Sequence, residues 1–534
     1  MARLHSPRTV ADVTALIDKA RAAHGEGAWA RAEKHYRAIL ARDPRNVEAL
    51  HLLGLLHHQT GRPAQALRYL AEALKEPAPS ADLLSDHGLV LHALGRSEEA
   101  LAHFDAALTI TPDDPDLLSK RGVACLHLGR LQEALDAFGQ ALARDPAHVD
   151  ALGNRGNAFL KLNEPEQAIA SYDAAIHING PTARLLTNRG HALKRLDRLE
   201  EALADLRRAL AIDPDHAEAA FELGMVQLAL GDFENGWASY ERRWETAAFA
   251  EHRRQFSSPQ WTGRQSLAGR TILLHAEQGL GDTIQFVRYA AMVRALGAKV
   301  VLEVQPELLR LMTHVAGADH VIARGDKLAA FDFHCPLMSL PLAFKTTAAT
   351  VPADVPYIAC AGEPERWRGI LPAGKPRVGF CWAGKASHRN DINRSIPLAR
   401  FASILDIPAI DFVSLRYGAS EDERALLSGR GNVFDASPLL TDFADTANLV
   451  QQLDLVVSVD TSVAHLAGAM GVPTAVLLPF AADFRWLRTD NESAWYPGMR
   501  LFRQPRLKDW DSVIETVRDH VADRFVPAKA SRAS

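Results

Sequence analysis

Small and apolar residues return on a fixed beat through the first half of the chain. Gly54, Gly88, Gly122, Gly156, Gly190 and Gly224 stand 34 residues apart (88 − 54 = 34), and Ala32, Ala66, Ala100, Ala134, Ala168 and Ala202 keep the same interval. Gly27, Gly61, Gly95, Gly129, Asn163, Asp197 and Gly231 do so too, and all three residue types tolerate positive φ. Pro44, Pro112, Pro146 and Pro214 fall on the beat, with Pro77, Pro79 and Pro181 one residue off it. Each unit therefore predicts a helix, a tight turn, a second helix and a proline stop, with small residues where the helices cross. Seven units fit between residues 14 and 246, the first and last degenerate.

Beyond residue 246 the period changes. A polar bridge, residues 247–268, carries Arg, Ser and Gln around Trp261. Short apolar runs at 271–275, 299–304, 320–323 and 331–334 then read as strands. Helical spacing starts at Asp282 and runs through Ile284, Val287, Ala291 and Ala295, and another helix is expected from Pro306. A Pro/Gly break at 371–376 opens a second series: strand 377–382, helix 398–405, strand 411–415, strand 455–459, helix 463–470 closed by Gly471 and Pro473, strand 473–478, and a last helix begun by Asp509. Two βα halves joined by a short linker predict two doubly wound, Rossmann-like sheets facing across a cleft, with ligands at the carboxyl ends of the strands. The expected domains are 14–246, a linker 247–268, halves at 269–371 and 372–524, and a flexible tail 525–534.

The 34-residue unit resembles the tetratricopeptide repeat in period and in helix-turn-helix form. That resemblance implies an α-solenoid whose stacked pairs share one core and leave a curved groove, usually for peptide. Asn154 and Asn188, with Asp86 in the same phase, lie two residues before the repeat glycine. The superhelix of O-GlcNAc transferase carries groove-facing asparagines at that position; here two of the units have them.

Composition narrows the partners. The chain has 534 residues, 47% hydrophobic and 23% charged, enough for about three to four domain-sized units. A net charge of −5 gives no basic field for nucleic acid. Cys125, Cys335, Cys360 and Cys381 lack metal-ligand or C-x-x-C spacing and read as buried thiols of a reducing compartment. The first residues carry no apolar signal region, and the longest apolar stretch, 453–480, is interrupted by Asp460, His465, Gly471 and Pro473. A cytoplasmic protein without a membrane span is expected.

The candidate chemistry sits on two strand-exit turns. After the strand at 455–459, Asp460, Thr461 and Ser462 lead into a short helix. Free amides at Ser462, Val463 and Ala464 and the Thr461 and Ser462 hydroxyls make a cradle for phosphate, with His465 one turn on. The alternative is that Asp460 or Thr461 only caps the helix and His465 is an interior histidine. After the strand at 271–275, Gly279 and Gly281 form a turn, with Asp282 and Thr283 entering the next helix.

Three motifs in order, EQGLGDTI at 277–284, GFCWAG at 379–384 with Asn390, Asp391, Arg394 and Ser395 behind it, and DTSVAHLAGAMG at 460–471, resemble the heptosyltransferase-like glycosyltransferases of family 9. The resemblance spans residues 269–521. It implies a GT-B fold and inverting, metal-independent transfer of a sugar from a nucleotide-sugar donor, with no further cofactor. It makes Asp282 the catalytic base that accepts the acceptor hydroxyl proton, on an acceptor loop with Gly279, Gly281 and Thr283. Trp382, Ala383 and Gly384 match the loop nearing the donor diphosphate, and Asp460, Thr461, Ser462, Val463, Ala464 and His465 the phosphate turn. Arg394, or else Lys385, stands where the family's usual lysine neutralises the departing diphosphate. Asp282 could also be a helix cap.

With the repeats, the expected activity is transfer to a hydroxyl of a protein or glycan acceptor that the groove recruits. Tyr240, Arg242, Arg243 and Trp244 are expected to dock the last repeat on the catalytic half, and Arg485, Trp486, Trp495 and Tyr496 to line the cleft or pack in its core. Two rivals stand beside this. One is a non-catalytic adaptor whose transferase-like half is inactive or only binds a nucleotide-sugar. The other is a dinucleotide oxidoreductase using Gly279, Gly281 and Glu303, opposed by Ile284 at the third glycine position and by the charge of Asp282.

Overall fold

The structure is a computed structural model and describes residues 7–360, 365–388, 390–488 and 491–526. The chain divides into two compact units, up to Arg189 and from Gly190 on.

The first unit is built of paired helices such as Val47–Gln59 with Pro63–Ala73 and Val149–Lys161 with Pro165–Asn179. Every expected turn residue adopts positive φ, from 55° at Asp197 to 81° at Gly231. The repeat glycines mark the crossing point within a pair. A Cβ on Gly54 would lie 2.6 Å from Leu70, on Gly88 2.7 Å from Phe104, on Gly122 2.6 Å from Phe138 and on Gly156 2.5 Å from Tyr172. The partner is always 16 residues on (70 − 54 = 16), so one ring or leucine fills the space that each missing side chain leaves. A second 34-residue register emerges at the helix starts. Asn46, Ser80, Asp114, His148 and Thr182 each accept from the amide three residues on, at 3.0 to 3.2 Å, and His216 repeats this in the second unit.

The second unit carries the helices Leu199–Ile212, Ala217–Ala229 and Phe233–Tyr240 and two parallel sheets. The first sheet contains β1 (Thr271–His275), β2 (Lys299–Val304), β3 (His320–Ala323) and β4 (Phe333–Pro336), in the order β3-β2-β1-β4. The second contains β5 (Arg377–Cys381), β6 (Asp411–Ser414), β7 (Val433–Asp435), β8 (Leu455–Val459), β9 (Thr474–Leu478) and β10 (Met499–Arg503), in the order β10-β9-β8-β5-β6-β7. This is the doubly wound order, and the chain reverses its direction of winding between β5 and β8. Central strands are apolar on both faces because helices cover both; β8 and β9 are buried throughout.

Several expectations need correcting. The helix expected from Pro306 is a 3-10 turn, Pro306–Leu308, followed by one α-turn, Leu309–Met312. The helix expected at 398–405 splits into Leu398–Phe401 and a 3-10 segment, Ala402–Leu405. The polar bridge is fastened as well as linking: Gln260 bridges His334, and the Trp261 amide donates to the His334 carbonyl at 2.8 Å. Phe525 ends the helix Trp510–Phe525, and the rest of the expected tail, from 527, lies outside the described residues. Among the described residues no helix is long and apolar enough to cross a membrane.

Candidate functional site

The winding reversal between β5 and β8 brings two strand exits side by side. β8 ends in Asp460 and Thr461, and the helix Ser462–Ala469 starts at once, with Thr461 as its N-cap. The Thr461 carbonyl already accepts from Ala464 at 3.0 Å, so the expected three-amide cradle narrows to Ser462 and Val463. The Thr461 side chain is buried and pairs with Ser458 at 3.2 Å.

β5 ends in the loop of Trp382, Ala383 and Gly384. The Trp382 indole packs in the sheet core and donates to Glu423 at 2.7 Å, which leaves only the backbone of that residue for a ligand. Arg416, at the end of β6, pins the loop from below: its Nη1 donates to the Ala383 and Gly384 carbonyls at 3.0 and 2.7 Å. Arg394 lies over Gly384, whose absent Cβ would fall 2.4 Å from the Arg394 Nη2, and its Nη1 donates to the Asp460 carbonyl at 3.1 Å. Arg394 thus spans the two strand exits, while Lys385 is exposed.

The glycine turn of the first sheet meets this place. Gly279 caps the helix Leu280–Phe286, and Asp282, its third residue, reaches back to accept from the Gly279 amide at 2.8 Å. The other Asp282 oxygen pairs with Arg485, from the segment after β9. Asp282 therefore makes the half of a capping box that closes back on the Gly279 amide, and its side chain stays 22% exposed. Gly281 touches the opposite helix: a Cβ there would fall 2.8 Å from the His465 ring and 3.5 Å from the Ser462 Cα. The Asp282 turn and the Thr461 turn are thus packed against each other through Gly281.

The residues packed behind this contact are buried. His465 stacks on Trp486 at 5.3 Å, and its Nδ1 lies 2.9 Å from the Tyr496 hydroxyl. Burial holds its ring well below the ordinary histidine value, with Arg485, Arg288 and Arg394 adding to the effect. It is an uncharged interior histidine. Trp486, Trp495 and Tyr496 are core residues here, each about 1% exposed or less. Burial, reinforced by nearby Asp483, pushes the Asp460 carboxyl up to about 6. Thr283 is buried and donates to Gln305 at 2.9 Å. Glu303, the ribose ligand of the oxidoreductase reading, is ion-paired with Arg254.

The last helical pair is part of the same core. Trp237 packs on Phe286 and Phe484, and Tyr240 on Phe484 and the Gln278 amide. Arg243 is fully buried, donating to Ser339 at 2.8 Å and to Glu277 at 3.4 Å, with Trp244 under its guanidinium. Arg242 is not part of this contact; it pairs with Glu245 at the surface. In the repeat unit, Asn188 donates to Asn157 at 3.0 Å, and Asn157 to Asn154 at 3.5 Å. Asp86 is engaged with His51. Asn154 also lines a cavity of about 200 Å³ with Leu89, His92, Phe104, Ser119 and Lys120.

The residues that sequence reasoning undervalued are Arg485, Arg416 and Asp483. Arg485 was legible only as a polar residue among aromatics, and nothing local tells that it reaches 203 residues back.

Comparison with known proteins adds to this geometry. Segments 23–85, 79–147, 120–184 and 183–216 match models of the tetratricopeptide repeat. Residues 23–216 are tetratricopeptide repeats. Protein FlbA of Caulobacter vibrioides is 27% identical over 337 residues, covering 58% of this chain and 56% of FlbA. The chain thus spans little more than half the length of that curated relative. Among solved structures, a tetratricopeptide repeat protein of Parabacteroides merdae is similar at 19% identity, covering 44% of this chain and 93% of its own, with a TM-score of 0.39. YrrB, described as a tetratricopeptide repeat protein with an unusual peptide-binding site, is similar at 25% identity over 32% of this chain and 88% of its own, with a TM-score of 0.29.

Proposed function

We propose that the two-sheet half is an inverting glycosyltransferase of GT-B type, related to family 9, and that the repeats recruit a protein or glycan acceptor to it. One observation carries the reading: the helix start that bears Asp282 packs through Gly281 on the Ser462 helix terminus, at the winding reversal of the second sheet, where such folds bind nucleotides. In this reading the donor diphosphate lies on the Ser462 and Val463 amides and beside Arg394. The acceptor oxygen attacks the anomeric carbon as the bond to the diphosphate oxygen breaks. That oxygen leaves with the electron pair, and the acceptor proton passes to Asp282. The helix terminus and Arg394 stabilise the charge that builds on the leaving group.

The test is turnover of a panel of nucleotide-sugars by the purified chain. Asp282→Asn is expected to lower turnover by about 10²- to 10⁴-fold while donor binding survives. Equal turnover in the variant removes the base assignment.

A second reading has an observation of its own. The Leu280–Phe286 and Ser462–Ala469 helices touch at Gly281, and Asp282 is engaged by a buried arginine, which suits a structural seam in a non-catalytic adaptor. Donor binding without any turnover supports that reading over the transferase.

A further inference from the structure

Arg485 is a buried cation with three engaged arms. Its Nε donates to Gln285 Oε1 at 2.8 Å, its Nη1 to Asp483 at 2.6 Å, and its Nη2 pairs with Asp282. The Phe484 ring lies 4.5 Å from its guanidinium carbon and the Phe286 ring 5.7 Å. Burial alone would lower the guanidinium, but Asp483 and Asp282 outweigh that and hold it above its ordinary value. A planar fork gripped on three sides has little freedom to rotate.

Asp282 is held by two donors that come from different halves of the molecule. Gly279 supplies an amide from its own turn, and Arg485 supplies a guanidinium arm from beyond β9. A carboxylate offers about four lone-pair sites, so two fixed donors set the plane of the group and leave its exposed edge to receive a proton.

We infer that Arg485 is a positioning residue for the transfer: it orients the Asp282 carboxylate toward the acceptor hydroxyl and ties that orientation to the half carrying the phosphate turn. The inference rests on the transferase reading above. It differs from a purely structural role in one respect: the effect of altering Arg485 must run through Asp282.

The experiment uses the full chain and steady-state turnover of whichever nucleotide-sugar proves active. Arg485→Lys keeps the charge but loses the fork. Its kcat is expected to fall by about 10- to 100-fold, the loss that displacement of a reacting group by about 1 Å produces, with the donor KM changed less than about threefold. In an Asp282→Asn background the same substitution is expected to cost no more than about twofold further, because coupled residues are not additive. Gln285→Met releases the Nε arm without touching the ion pairs. It should lower kcat in the same sense, and it decides the matter if Arg485→Lys does not fold. Full additivity with Asp282→Asn, an effect confined to KM, or an unchanged kcat overturns the inference and leaves the transferase standing. No turnover by the unaltered chain brings down the transferase reading, and this inference with it.

Discussion

At the residue scale, the seam between the two sheets depends on a hydrogen atom. Gly281 has ordinary helical neighbours, but a methyl group there would meet a His465 ring that Trp486 and Tyr496 hold in place. The neighbour cannot swing aside as an exposed side chain would. Gly281→Ala is therefore expected to destabilise the second unit by about 1–3 kcal/mol despite alanine's better helix propensity, read as a lower midpoint in urea. Asp460 makes a second prediction. Its carboxyl titrates at about 6 in the folded chain against an ordinary 3.8, so the native state holds a proton between those values that the unfolded state releases. Stability contributed by this group is present below about pH 4 and is lost as pH rises through 6. Asp460→Asn is expected to stabilise the chain by about 3 kcal/mol at pH 8 and to have little effect at pH 4. An equal effect at both pH values would show that burial of the charge is not the cause. Local structure at the candidate site was legible where short-range geometry decides it, as in the helix starts after Gly279 and Thr461. The direction of the Trp382 side chain was not legible, because only long-range packing against Glu423 decides whether a residue beside a loop turns inward.

At the scale of elements, the 34-residue register is a register of contacts. The glycines cost helix propensity, about 1 kcal/mol each relative to alanine, and are retained because the side chain 16 residues on occupies the vacated space. Leucine fills it opposite Gly54 and a phenylalanine ring opposite Gly122. Gly122→Ala is expected to lower the melting temperature of the repeats, and adding Phe138→Leu should recover part of the loss, since Leu206, in the same place of its own pair, stands 3.0 Å from where a Gly190 Cβ would lie, against 2.6 Å for the ring at Gly122. No recovery would mean that the backbone crossing, and not the ring, sets the demand. The turns were readable because φ above zero restricts the residue types. The capping register, Asn46 through His216, was harder to see because Asn, Ser, Asp, Thr and His share only an acceptor atom. Strands β1, β2, β3 and β8 announced themselves as apolar runs of strand length, as buried parallel strands do. β10 did not, because Arg500 and Arg503 interrupt an edge strand that pairs fully with β9 and, among the described residues, meets only a bridge at Glu492 on its other side.

At the scale of the whole molecule, the repeats and the sheets do not part where the 34-residue beat ends. The compact unit that contains both sheets begins at Gly190, because the last helical pair gives its large side chains to the sheet core. Trp237 and Tyr240 are at most 3% exposed against Phe286 and Phe484, and Arg243 is at 0% beside Glu277. Burial pushes the Glu277 carboxyl up to about 7, with Arg243 opposing that rise, so loss of the arginine would leave a buried acid with its main counter-charge gone. Each aromatic side chain contributes about 1.5–3 kcal/mol through burial. A fragment of residues 247–534, cut where the repeat pattern stops, would bare the Phe286 and Phe484 faces and lose that support. A fragment of residues 183–534 keeps the helix Ala183–Arg195 whole and the contacts of Trp237, Tyr240 and Arg243 intact. The longer fragment is expected to melt in one cooperative transition near the full chain's temperature, and the shorter one to bind a hydrophobic dye and melt at least about 8 °C lower, as the loss of a few kcal/mol in a domain of this size requires. Identical melts would show that the final helical pair rests on the sheets without supporting them.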